Sequence, residues 1–401
     1  MARTIPIFAA KQPSTVTDLE FRVSPPLALY VHVPWCVQKC PYCDFNSHEA
    51  NGEIPEREYV DALIADLQSA LPLIWGRPVV SVFFGGGTPS LLSPAAIDEL
   101  LAAFRALAML SPEAEITLEA NPGTVEAAKF AGFSKAGVNR VSLGIQSFND
   151  DHLKALGRIH GADEAKRAAQ LAAEHFASFN LDLMYGLPGQ TLEQALSDVE
   201  MALSFKPPHL SCYQLTLEPN TRFAAFPPEL PEGDTCADMQ EAIEARLAGA
   251  GFANYETSAF AQTGKQCRHN LNYWHFGDYL GIGAGAHSKL TLHDRVLRQM
   301  RWKHPSAYLQ NIRAGTPVQE ETRIAAAGLP FEFLMNALRL ADGFPPALYE
   351  SRTAQSINGI LPRLLAAQAD GLLAISPERI APTLRGRRFL NVLLERFLDE
   401  T

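Results

Sequence analysis

Cys36, Cys40 and Cys43 stand in the run YVHVPWCVQKCPYCDF (30–45), three thiols within eight residues directly after an apolar stretch. Cysteines this close can wrap one metal centre from a single loop. A closed structural zinc site or an ordinary iron–sulfur cluster takes four protein ligands. A cubane held by three thiolates leaves one iron open to a ligand that is not protein. The competing chemistry is a zinc knuckle completed by His32, His48 or Asp44, but Cys-x3-Cys-x2-Cys among aromatics is a poor zinc spacing.

Such a loop needs a scaffold to hold it, and the chain alternates short β-rich runs with amphipathic helices. Strands are expected at 27–33, 79–86, 115–121, 140–146, 179–186 and 210–216, with helices over 56–71, 93–104 and 161–176 between them. Near-continuously apolar strands separated by helices predict a parallel sheet covered on its faces. Six such units are fewer than an eight-fold barrel needs, so the expected fold is α/β, an open, partial TIM-type barrel. The polar residues fall in register on that scaffold. The cysteine loop follows the first strand, Gly85-Gly86-Gly87-Thr88 ends the second, and Glu119 and Asn121 end the third. Gln146 ends the fourth, and Asp182 lies in the fifth. In a parallel array the carboxyl ends of all strands share one mouth, where such folds bind ligands. Five consecutive strands that each deliver glycine or a polar group to one rim predict a site.

Composition narrows the partners. Of 401 residues, 47% are hydrophobic and 19% charged, the balance of an ordinary globular protein. The net charge, 34 − 44 = −10, argues against a nucleic-acid binder. No apolar run approaches the roughly 20 residues that cross a bilayer, and the N-terminal segment lacks a secretory h-region, so the expected location is the cytoplasm, with membrane association only through a partner. Cys212, Cys236 and Cys267 read as buried small hydrophobes. Four segments are expected: an N-terminal tail over 1–25, the barrel over 26–261, a linker over 262–310, and a C-terminal domain over 311–401. The last ends in a helix–hairpin–helix order that predicts a mainly helical, winged-helix-like module. Its residues 361–401 carry six arginines against five acids, which does not make a basic DNA-binding face, and Arg385, Arg387 and Arg388 read as internal or solvated contacts.

Together the words YVHVPWCVQKCPYCDF, FFGGGTPS, LEANPGT, LGIQSF, ALGRIH and NLDLMYGLPGQT resemble the radical S-adenosylmethionine (SAM) superfamily. The resemblance implies a [4Fe–4S] cluster on Cys36, Cys40 and Cys43, whose open iron chelates the amine and carboxylate of SAM. It further implies SAM contacts from Tyr30, Tyr42, Gly86, Gly87, Thr88, Glu119, Gln146, Arg158 and Asp182. Taken singly, each of these is as well explained as a strand-end polar residue or a tight turn.

With GIGAGAHS added, the resemblance extends over the whole chain after about residue 25. It points to the branch that holds oxygen-independent coproporphyrinogen III oxidase and the HemW-like heme chaperones. The oxidases carry a fourth cysteine two residues after the third, where this chain has Phe45, and a longer N-terminal extension. His269-Asn270-Leu271-Asn272-Tyr273-Trp274 fits the HNxxYW motif that the chaperone group uses for heme. The resemblance therefore implies heme binding through His269, Asn270, Tyr273 and Trp274, with His269 as a candidate iron ligand, and delivery of heme to apo-hemoproteins. The alternatives are oxidative decarboxylation of coproporphyrinogen III, or a radical SAM reaction on another tetrapyrrole. GIGAGA (281–286) mimics a dinucleotide fingerprint but lacks the strand–turn–helix setting, so no nucleotide cofactor is expected there.

Overall fold

The computed structural model describes residues 19–398 except 51 and 125. Its first strands are β1 (Leu27–Val33), β2 (Trp35–Cys36), β3 (His48–Glu49), β4 (Pro78–Gly86), β5 (Met109–Ala120) and β6 (Arg140–Gln146). They are followed by β7 (Ser178–Tyr185), β8 (His209–Gln214), β9 (Ala253–Asn254) and β10 (Ala259–Ala261). The later strands are β11 (Asp278–Ile282), β12 (His287–Thr291), β13 (Val296–Arg301), β14 (Val318–Ile324), β15 (Leu373–Ile375) and β16 (Ile380–Pro382).

Twelve strands form one sheet in the order β14-β13-β12-β11-β1-β4-β5-β6-β7-β8-β10-β9. The run from β11 through β1 and β4 to β8 is parallel throughout. The sheet curls but does not close, as six β/α units predict. The strands at 27–33 and 140–146 match their expected bounds. The third begins earlier, at Met109, because its exposed start, MLSPE, shows no apolar alternation to mark it.

The helices cover the sheet because their apolar faces match its buried strands. Tyr59, Leu63 and Leu67 of helix Glu56–Ile74 and Ile97, Leu100 and Phe104 of helix Pro94–Leu107 are fully buried beside Val82, Phe84 and Leu118. Each such side chain contributes about 1.5–3 kcal/mol of burial. Ser93 fixes the start of the second helix by accepting from the Ala96 N–H at 3.1 Å, and it donates its own hydroxyl to Glu56 at 2.8 Å, tying the two helices together.

The stretch expected as a linker (262–310) is a correction: it is part of the sheet. A helix, Arg268–Trp274, leads into β11, which inserts parallel to β1, and β12 and β13 continue the sheet antiparallel. GIGAGA hid this strand, because its small residues carry no period-2 pattern. Their smallness is required: a Cβ on Gly281 would lie 2.1 Å from the His287 carbonyl oxygen. The motif is a strand–turn–strand, which is why it makes no dinucleotide site.

A second core, centred on Phe333, Phe344, Tyr349, Leu364, Leu372, Ile380 and Leu393, belongs to the C-terminal helices and the β15–β16 hairpin. Phe21, Phe276 and Val296 join it, so it is seated on the sheet extension. Arg387 donates to Asn254 Oδ1 at 2.6 Å, an internal contact, and Arg388 pairs with Glu241 at the surface, so neither adds to a free basic face. Most of the expected tail lies outside the described residues. Among the described residues, no helix is long and apolar enough to cross a membrane.

Candidate functional site

At the carboxyl end of β1 the chain turns into the cysteine loop, which is held against the end of β4. Gly87 N–H donates to Val33 O at 2.8 Å and Thr88 N–H to Trp35 O at 2.7 Å, so the glycine run and the loop are laced backbone to backbone. Only glycine permits that approach. A Cβ on Gly87 would lie 2.5 Å from Trp35 O and 3.1 Å from Cys36 Sγ. Gly86 has a positive φ of 116°, and a Cβ there would lie 2.7 Å from the His32 ring.

The three thiols are half-buried and unpaired. Burial pushes the Cys36 and Cys43 thiols up, so binding a metal there would release protons. Among the described residues, the group whose ligand atoms lie within 4.8 Å of one another is Glu115, Cys267 and His269, and the three loop thiols are not such a group. A single zinc ion with bonds of about 2.3 Å would draw its sulfurs that close. The loop's wider spread fits a larger inorganic centre.

Beside the thiols opens a cavity of about 310 Å³, and Tyr42, Gly86, Gly87, Thr88, Glu119, Gln146, Arg158 and Asp182 all line it. The topology explains the convergence, since these residues end or follow neighbouring parallel strands. Glu119 and Asp182 face the same interior from β5 and β7. Burial and then the neighbouring Asp182 push the Glu119 carboxyl up to about 8, while Gly86 N–H donates to it at 3.3 Å. Burial pushes Asp182 up as well, opposed by hydrogen bonds from Asn180, Ser142 and Ser211. Gln146 ends β6 with φ at +67°, an uncommon conformation for a side-chain-bearing residue and one that clusters at functional sites.

Arg158 donates to Gly144 O at 2.8 Å and reaches Cys40 Sγ at 3.5 Å, yet its Nε is buried with no partner. A buried guanidinium with an unspent donor beside the thiols is suited to an anionic ligand group. Ser142 and Tyr213 also line this cavity and were not singled out from sequence. Ser142 could have been found, because Ser142, Gly144 and Gln146 recur every second residue along β6 and so share one face.

Tyr30 is placed differently. It lines a second cavity, of about 500 Å³, which shares Phe45, Gly86 and Glu119 with the first. Tyr30 lies there because its hydroxyl is held by His32 Nδ1 at 2.8 Å. Phe83, Tyr273, Trp274 and Tyr279 give this chamber aromatic walls, and the Trp274 indole N–H is buried without a partner.

The HNLNYW segment divides over this wall. Helix Arg268–Trp274 turns Tyr273 and Trp274 into the cavity, but His269 and Asn270 line neither chamber. His269 is 4% exposed, lies with Nδ1 2.9 Å from Glu115 Oε1, and stacks on the far face of Phe83 with ring centres 4.2 Å apart. Against the cost of burial, hydrogen bonds from the His269 ring and from backbone N–H groups hold Glu115 well below the ordinary carboxylate range. His269, expected as a candidate iron ligand, is thus held by Glu115 and Phe83 and is not among the residues that line the chamber. One turn apart on the same helix, His269 and Tyr273 are neighbours with ring centres 6.1 Å apart, but His269 is engaged by Glu115 and Phe83 while Tyr273 and Trp274 line the chamber.

Comparison with known proteins follows this division of the chain. Residues 30–202 match the family model of the radical SAM superfamily, and residues 326–389 match that of the HemN C-terminal domain. The chain is 51% identical over 378 residues to the heme chaperone HemW of Escherichia coli, covering 94% of this chain and 99% of that one. It is 49% identical to the heme chaperone HemW of Haemophilus influenzae, covering 94% and 99%. A mouse relative, the mitochondrial radical S-adenosyl methionine domain-containing protein 1, is 42% identical over 66% of this chain and 61% of its own length. The crystallised coproporphyrinogen III oxidase HemN of Escherichia coli shares the fold at a TM-score of 0.79, with 24% identity, covering 93% of this chain and 90% of that one.

Proposed function

The chain belongs to the HemW family, within the radical SAM superfamily, and from that premise we propose that it is a heme chaperone: it binds heme in the aromatic chamber and passes it to apo-hemoproteins. The observation that carries this reading is the second cavity itself. It is of ligand size, walled by Phe83, Tyr273, Trp274 and Tyr279, and opens beside the cysteine loop.

Membership in the superfamily implies a [4Fe–4S] cluster and SAM. Cys36, Cys40 and Cys43 would hold three irons of that cluster, which supplies one-electron chemistry when bound. The glycine run to Thr88 would present backbone groups to the methionyl end of SAM. Arg158 would take its carboxylate through the unspent Nε, and Glu119, Gln146, Asp182 and Tyr42 would enclose the rest. Phe45 lines both chambers and stands where an oxidase would have a fourth cysteine, so it separates the two ligands with an apolar ring. Six unpaired cysteines suit a reducing compartment, and we place the protein in the cytoplasm.

Anaerobic titration of the reconstituted protein with heme tests this reading. Stoichiometric binding is expected, with no protoporphyrinogen formed from coproporphyrinogen III in the presence of SAM and a reductant. Turnover of that substrate would replace the chaperone by the oxidase.

A further inference from the structure

We propose that the row of Tyr279, Lys289 and Arg298 on the sheet extension, together with the Trp274 indole N–H, takes the carboxylates that a heme carries on one edge. This rests on the heme-binding reading above and goes beyond it by naming the groups that orient the macrocycle and select its carboxylates. Such a ligand is flat and apolar over its faces and anionic along one edge. A chamber that holds it needs aromatic walls and, at one end, hydrogen-bond donors to spare.

The charged groups of the lining are divided by place. Lys289 and Arg298 stand on the sheet extension, whereas Glu119 stands beside Gly86 on the wall shared with the cysteine-loop chamber. Arg298 is on β13 and Glu119 on β5, with β12, β11, β1 and β4 between them. Asp278 and Glu332, the acids that pair with the two cations, do not line the chamber. They neutralise the cations from outside the lining and leave donors unspent. Lys289 Nζ has three N–H groups, of which Phe276 O takes one at 3.1 Å and Asp278 Oδ1 another at 2.8 Å. Arg298 meets Glu332 through Nη2, while its Nε is buried with no partner. The Trp274 N–H is buried without one as well. Buried donors left unpaired are uncommon in a folded protein, and two on one lining beside a lysine suit an anionic ligand.

The sheet register sets the row. Tyr279 on β11 pairs with Lys289 on β12, and Lys289 with Arg298 on β13. Cross-strand partners share one face, and all three residues line the chamber. Adjacent strands lie about 4.8 Å apart, so the row spans roughly 10 Å, room for two carboxylates side by side. Helix Arg268–Trp274 brings Trp274 to the same chamber, so the HNLNYW segment and the row meet on one ligand. Around Glu119 the lining has no lysine or arginine. Carboxylates placed all around a macrocycle, as in coproporphyrinogen III, would go unpaired there. The row therefore favours a ligand with its carboxylates on one edge.

The test titrates heme and its dimethyl ester, whose carboxylates are masked, into the wild type, Arg298→Met/Glu332→Gln and Trp274→Phe. The paired substitution removes the guanidinium without stranding its acid. The wild type should bind heme roughly 10- to 100-fold tighter than the ester, the range for a charge-assisted hydrogen bond. Arg298→Met/Glu332→Gln should remove most of that preference and leave ester affinity within about twofold of the wild type. Trp274→Phe should narrow the preference by about two- to tenfold. A wild type that binds heme and ester equally, or a paired variant that loses both ligands alike, overturns the assignment and leaves heme binding standing. The wild-type comparison decides the matter even where a variant fails to fold. If the wild type binds neither ligand, the chaperone reading itself falls, and with it this inference.

Discussion

The two chambers share a wall of Phe45, Gly86 and Glu119, but they differ in what they leave unsatisfied. In the cysteine-loop chamber the reactive groups are open: three unpaired thiols, a guanidinium with a spare buried N–H, and two acids raised by burial. In the aromatic chamber most polar groups already have protein partners, His32 with Tyr30 and Asn46, Lys289 with Asp278. The first chamber is a set of ligands waiting for an inorganic centre and a charged small molecule. The second is a shaped apolar surface with a few spare donors. The same rim of a parallel sheet thus provides coordination chemistry on one side and shape on the other. The division arises because the first chamber is built from strand ends and the second from the junction with the antiparallel extension.

The sharpest way to break this comparison is to empty the first chamber. A Cys36/Cys40/Cys43 triple alanine variant should lose all iron–sulfur absorption after reconstitution, yet titrate with heme within about twofold of the wild type, a change under 1 kcal/mol. Loss of heme binding along with the cluster would merge the two chambers into one site.

The shared wall offers a smaller effect. The Glu119 carboxyl is pushed up to about 8, from an ordinary 4.5, by burial and by Asp182. Between those values the folded protein keeps a proton that the unfolded chain gives up, so stability is lost as pH rises through the window. The melting temperature of the ligand-free protein should fall from pH 5 to pH 8. Glu119→Gln should flatten that decline, recovering on the order of a few kcal/mol at the upper end. A wild-type profile flat across this window would mean that Glu119 is not held protonated.

The smallest expected change is specific to one ligand. Arg158→Met removes a charge-assisted contact of about 1.5–3 kcal/mol, so SAM affinity measured by calorimetry should weaken roughly 10- to 100-fold while heme affinity stays level. Equal weakening of both ligands would show that Arg158 supports the fold of the rim and not the SAM carboxylate.

Much of the first chamber was legible in the chain because its parts are local words. A cysteine loop after one strand and a glycine run after the next carry their geometry with them, since backbone lacing at Gly87 tolerates no side chain. The parallel order of six strands then brought Glu119, Gln146 and Asp182 to the same rim. The second chamber resisted reading. Helix 268–274 reads as one heme motif, yet His269 is stacked on Phe83 from a distant strand and held by Glu115, while Tyr273 and Trp274 line the chamber. Tyr30, grouped with the SAM residues by its neighbours in sequence, turns away to pair with His32.

The sequence by itself determined the metal loop, the parallel sheet and the family, because short-range spacing and strand periodicity are properties of the chain. Only the tertiary structure decided which imidazoles are engaged. Whether an imidazole nitrogen is spent depends on partners such as Glu115 and Asn46, 154 and 14 residues away from His269 and His32, and no local pattern encodes that pairing.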